Sequence, residues 1–140
     1  MERIVSKKAM ESATRWFDLA SAGIKQKDYD GALYCLEMSL EIGMKAILLS
    51  KNKEVPKTHN ILDAFISVVN DNKIMDIYKE LDGIKDAFNL LIKFRNVSGY
   101  MFESTASLDD LKTVIDRVYD KVKTYLDLFK KVIDKNNQQR

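Results

Sequence analysis

Apolar residues recur at spacings of three and four along nearly the whole chain, which places them on single faces of helices. Ala9, Ala13, Trp16, Ala20 and Ile24, joined by Met10 and Phe17, predict a first helix over about Arg3 to Lys27, with Trp16 in the core. Lys27-Asp28-Tyr29-Asp30 reads as a short turn in which Asp28 or Asp30 can cap the next helix. So short a connection makes the first two helices antiparallel neighbours. The second helix spans Tyr29 to Lys51. Ala32, Leu33, Leu36, Leu40, Met44, Ile47 and Leu48 cover most of its circumference, and its only charges between Ala32 and Leu49 are Glu37, Glu41 and Lys45, spaced four apart. A helix apolar on most sides is packed by several others, so this one is predicted to be central. The charged stripe has two open readings. It is either a solvated edge with a Glu41–Lys45 pair, worth a few tenths of a kcal/mol, or a strip facing a groove or a partner chain.

A polar loop from Lys51 to Lys57 holds Pro56, after which Thr58 can cap a third helix with His59 in its first turn. Ile61, Leu62, Phe65, Val68 and Val69 form its apolar face, and Asp71-Asn72 ends it. A fourth helix is predicted from Ile74 into the low nineties, marked by Ile77, Leu81, Ile84, Phe88 and Leu91. One further turn of that stripe lands on Arg95. A charge that continues an apolar face needs a partner, a ligand or an opening to solvent. Asn96-Val97-Ser98-Gly99 weakens the helix, Tyr100 to Ala106 reads as a loop, and Ser107 caps the last helix. Asp109 and Asp110 suit its first turn. Leu108, Leu111, Ile115, Val118, Val122, Tyr125, Phe129 and Val132 form its stripe, and residues 136–140 are expected to fray. The turn chemistry that strands need is missing, since Pro56 is the only proline and the five glycines are dispersed. The predicted fold is therefore all-α: an antiparallel, up-and-down bundle of about five helices, in one domain over residues 1–135.

Bulk properties exclude more than they indicate. A chain of 140 residues can bury a real core. No run of eighteen apolar residues predicts a membrane span, and the charged, amphipathic N-terminus lacks an apolar signal core, so a cytoplasmic location is expected. The net charge of +2 is too small to argue for nucleic acid on its own. One histidine and one cysteine cannot build a zinc site of the usual kind, and no Gly-rich phosphate loop is present, so no metal and no cofactor are expected. Cys35, inside the second helix, reads as a small buried hydrophobe rather than a nucleophile.

The candidate chemistry lies in Arg95-Asn96-x-x-x-Tyr100, the Glu41/Lys45 stripe and Pro56-x-Thr58-His59. Arg95 can bind phosphate with its planar fork. These elements come in an order that resembles the HEPN family (higher eukaryotes and prokaryotes nucleotide-binding) over most of the chain. Ser39-Leu40-Glu41-Ile42-Gly43-Met44-Lys45-Ala46 follows the family's A-x-E-K-x-x-K-A pattern at its Glu, its second Lys and its final Ala. Pro56, Thr58, His59 and Ile61 match the segment that follows, and Arg95-Asn96 matches the Arg and polar residue near the end of the fourth helix.

The resemblance implies a HEPN-like bundle. It makes Arg95, Asn96, Glu41, Lys45 and His59 the expected phosphate-facing residues, and Arg95 with Tyr100 the expected catalytic pair. Ribonuclease members carry a His four to six residues after the Arg, as general acid–base; here the fifth position is Tyr100 and no His follows. A free tyrosine titrates near ~10 and is a poor base at neutral pH, and losing the acid–base residue typically lowers the rate by about a hundred- to ten-thousandfold. An Arg-x4-Tyr motif resembles the branch paired with minimal nucleotidyltransferases, without the intervening His of that branch; there a tyrosine can accept a nucleotide modification. The expected function is thus a nucleotide- or RNA-interacting module, partnering a minimal nucleotidyltransferase in a toxin–antitoxin-like pair. The alternatives are a weak metal-independent endoribonuclease, using Arg95 with Tyr100 or His59, and a non-catalytic structural bundle. The family's paired bundles also imply a homodimer in which two Arg95 residues share one cleft.

Overall fold

The computed structural model describes residues 2–57, 61–98 and 107–138, and every regular element among them is helical. In chain order these are α1 (Glu2–Lys25), α2 (Tyr29–Ser50), α3 (Ile61–Asp71), α4 (Met75–Tyr78), α5 (Leu81–Ser98) and α6 (Leu108–Gln138). The all-α expectation holds, with six helices among the described residues in place of about five.

α2 is the central helix. It packs against α1, α3, α5 and α6, and Leu33, Leu36, Leu40, Met44, Ile47 and Leu48 are all buried. Its start is held as the sequence implies: Asp28 Oδ1 accepts the backbone N–H of Gly31 at 3.1 Å. α6 lies directly against α2 because Gly43 has no side chain. A Cβ there would stand 2.9 Å from Leu126 Cδ2 and 3.0 Å from Phe129 Cδ2, closer than van der Waals contact allows. The start of α6 carries a reciprocal cap. The Asp110 N–H donates to Ser107 Oγ at 3.1 Å while the Ser107 N–H donates to Asp110 Oδ2 at 3.3 Å, satisfying two backbone donors that a helix start leaves open.

Three helices end on the same left-handed turn. Lys27, Asn52 and Lys73 adopt φ of 60°, 57° and 52°, each just past the end of a helix. In each case the next residue's N–H reaches back to a carbonyl five positions earlier: Asp28 to Gly23 at 2.8 Å, Lys53 to Leu48 at 3.0 Å and Ile74 to Val69 at 3.0 Å. This is the left-handed helix stop usually built on glycine. Here two lysines and an asparagine carry it; α1 ends at Lys25 rather than at the expected Lys27, while α3 ends at Asp71 as expected.

Other expectations need correcting. The fourth helix is two elements, because the chain turns at Lys79 and Glu80, where the Glu80 N–H bonds the Ile77 carbonyl at 2.8 Å instead of the carbonyl a full turn back. The turn lets Ile77 and Ile84 both reach full burial, with α4 lying on α3 and α6 and α5 on α2 and α6. α5 then runs beyond the low nineties to Ser98, through the Asn96–Ser98 stretch expected to weaken it, and α6 continues as helix past 136 to Gln138. Trp16 is half-buried, not core; Met10, Ala13, Phe17 and Ala20 hold the buried face of α1. Trp16 instead meets Tyr34 edge to face, ring centres 5.9 Å apart. Leu108 is exposed, while the rest of the α6 stripe is buried as expected. The proposed Thr58 cap and the Tyr100–Ala106 loop lie outside the described residues.

Candidate functional site

The charged stripe of α2 climbs out of the core. A step of four residues turns a helix by about 40° beyond a full turn, so Glu37, Glu41 and Lys45 occupy successively more outward positions. Glu37 is fully buried, the Glu41 side chain is 14% exposed and the Lys45 side chain 33%. Lys45 Nζ lies 3.4 Å from Glu41 Oε2, the i,i+4 pair read from the sequence. A solvated edge does not describe this stripe, since its first member is interior and its second nearly so. The burial of Glu37 is the feature that sequence reasoning missed. Its signal was present, because Glu37 adjoins the buried positions of Leu33, Leu36 and Leu40 on the helix circumference.

α5 packs directly on α2. Its buried face carries Ile84, Phe88 and Leu91, which are 0%, 4% and 0% exposed. Arg95 follows Leu91 by four residues within the same helix, so its backbone position continues that buried face, with Asn96 next to it. The side chains of Arg95 and Asn96 lie outside the described residues, as do His59 and Tyr100 entirely. Of the six candidate residues, the structure thus brings Glu41 and Lys45 together and assigns Arg95 and Asn96 to a helix adjoining theirs.

Elsewhere the chemistry is quiet. Cys35 is a free, half-buried thiol, and burial, reinforced by the carboxylate of Asp28, pushes its pKa up. It therefore stays protonated at neutral pH, the inert state expected of a packing cysteine. The Tyr125 hydroxyl is also pushed up, chiefly by burial and further by Glu80 and Asp86. That hydroxyl fills the space where a Cβ on Gly83 would stand, seating α5 on α6. No group of three or more His, Cys, Asp or Glu among the described residues could hold a metal ion. No described helix is long and apolar enough to cross a membrane.

Set beside known families, the chain matches the model of the HEPN domain over residues 6–131, from the first turns of α1 to the last quarter of α6. The protein belongs to the HEPN family. Searches of curated proteins and of solved structures return no significant match. The HEPN match takes in the α2 stripe, the Pro56–Ile61 segment and the Arg95 position, so every candidate residue falls within the HEPN domain. HEPN membership points to a nucleotide- or RNA-related function.

Proposed function

We propose that this HEPN protein is a nucleotide- or RNA-interacting module that partners a minimal nucleotidyltransferase in a toxin–antitoxin-like pair in the cytoplasm. The observation that carries this reading is the HEPN match over residues 6–131, together with the backbone position of Arg95 in α5, four residues beyond the buried Leu91. A guanidinium at this position would offer phosphate oxygens its planar fork of donors. Glu41 and Lys45 form the outer edge of the neighbouring helix. Tyr100 takes the sequence position where a ribonuclease of this family has its acid–base histidine, and a free phenol, titrating near ~10, is a poor base at neutral pH.

The test is incubation with total RNA, with and without a chelator, beside an Arg95→Ala control. Cleavage by this chain alone is expected to be slow or absent. Vigorous chelator-resistant cleavage that disappears in Arg95→Ala would replace this reading with a metal-independent endoribonuclease.

The same reading makes the protein a homodimer. A polar stripe beside an apolar face, and an arginine prolonging such a face, suit a symmetric contact in which each patch meets its own copy. The contact is expected to bury more than roughly 1,000 Å² in total. Light scattering at micromolar concentration should give twice the monomer mass of 16.1 kDa; the monomer mass itself would reject the dimer and the shared cleft.

A further inference from the structure

Glu37 is the only charged residue that is fully buried among the described ones, and the register of the helices shows what covers it. It stands about 120° around α2 from Gly43, which meets α6, and about 140° from Ala32, which meets α1 at Gly23. Its cover therefore comes from the other two helices packed on α2, namely α3 and α5.

α3 is level with Gly43 at Phe65, because both meet Phe129. It climbs from there to the hollow that Asn72 lines with Lys51, Ile74 and Lys135. Its first residue, Ile61, lies about 6 Å below Phe65, whereas Glu37 lies about 9 Å below Gly43. α3 thus begins above Glu37. α5 runs the other way. It enters from the Ile74 end, and its Gly83 meets the Tyr125 hydroxyl. Tyr125 adjoins Leu126, so Gly83 is level with Gly43. Leu91 is then about 12 Å and Arg95 about 18 Å further down, and α5 passes over Glu37 between the buried Phe88 and Leu91. A helical side chain leans toward its own N-terminus, which for Glu37 is toward the Arg95 end of α5. The other cations of α5, Lys85 and Lys93, are exposed. Lys45, on α2 itself, lies beside Glu41.

We infer that Glu37 is a positioning residue for Arg95: its interior carboxylate holds the guanidinium from behind and fixes the direction in which the remaining donors face a phosphate. This rests on the reading of Arg95 as the phosphate-binding group. A carboxylate taken out of water needs a cation close by, since a buried charge left without its partner is strongly destabilising. A guanidinium carries five N–H donors in a rigid fork. A bidentate carboxylate occupies two of them and leaves three for phosphate oxygens. Lysine's compact point charge has no such fork to divide. Glu37 itself touches no ligand, because it is sealed from solvent.

The test is a double-mutant cycle on the full chain, joining Arg95→Ala with Glu37→Gln, which removes the charge and keeps the shape. Urea unfolding reads the pairing without RNA. Arg95→Ala should lower the midpoint clearly in the parent and much less in Glu37→Gln. Anisotropy with a single-stranded RNA oligonucleotide reads the positioning. Glu37→Gln should weaken binding by about tenfold, the scale of one charge-assisted hydrogen bond, and should change nothing further once Arg95→Ala is present. A bystander acid would give the opposite sign, because removing a negative charge favours an anionic ligand. Should circular dichroism show that Glu37→Gln does not fold, Glu37→Met/Arg95→Met, which removes both charges together, is expected to fold. The inference is overturned if the two substitutions shift the urea midpoint additively, or if folded Glu37→Gln binds RNA as tightly as the parent or more so. It is overturned equally if neither Glu37→Gln nor the double Met variant folds. A parent chain that binds no RNA would end the phosphate reading of Arg95 and the positioning role with it, even where the urea midpoints stay coupled.

Discussion

Truncating Phe129 to alanine is expected to destabilise the protein by about 3–5 kcal/mol, the range for removing a fully buried aromatic. Phe129 is 0% exposed and joins three helices. From α6 it reaches the ring of Phe65 on α3, with centres 5.4 Å apart and planes at 59°. It also lies against the bare backbone of Gly43 on α2. The aromatic pair contributes about 0.5–1.5 kcal/mol beyond the burial itself. The two sides of the cavity are also unable to collapse, since one is helix backbone and the other the rigid ring of Phe65, which favours the upper part of the range. Urea unfolding of the variant should show a lower midpoint with an unchanged slope. A loss below about 1 kcal/mol, the scale of an ordinary surface change, would mean that α3 and α6 do not meet across this ring.

Replacing Arg95 with alanine is expected to weaken binding of a single-stranded RNA oligonucleotide by about ten- to a hundredfold, as loss of a charge-assisted contact of ~1.5–3 kcal/mol implies. A shared cleft in a dimer would remove two such contacts at once and deepen the loss. Arg95→Lys keeps the charge and forfeits the fork, so it should recover part of the affinity and no more. The slope of log affinity against log salt should fall by roughly one for each phosphate contact removed. Fluorescence anisotropy over a salt series reads all three quantities. Equal affinity and equal slope in the parent and in Arg95→Ala would take Arg95 out of the phosphate site and end the proposed role.

The candidate site was only partly legible in the sequence. The Glu41–Lys45 pair was readable because both partners lie on one helix, where a spacing of four guarantees proximity. That Arg95 follows the apolar stripe of Ile84, Phe88 and Leu91 was readable for the same reason, and the structure extends α5 through its backbone position. The interior location of Glu37 was not. Glu37, Glu41 and Lys45 look alike as a four-residue series, and only the helices packed around α2 decide how far along that drifting line the cover extends.

By itself the sequence determined that the protein is helical, that α2 is central, that Ser107 begins the last helix, and that Asp28 or Asp30 begins the second, a choice the structure settles on Asp28. These are local matters: hydrophobic period, the absence of turn residues, and side chains that bond their own backbone a few residues on. The tertiary structure alone decided the rest. It turned the chain at Lys79 and Glu80, where an unbroken apolar period from Ile77 through Ile84 gave no warning, so that both isoleucines could be buried against different neighbours. It closed helices on Lys27 and Lys73, where left-handed backbone costs a lysine about 1–2 kcal/mol that glycine would be spared. It left Trp16 at a seam while Phe17 took the core, because a helix presents one face to the interior and adjacent residues stand about 100° apart around it. In each case the deciding energy lies in contacts between elements remote in the chain, and such contacts leave no period for a single strand of text to carry.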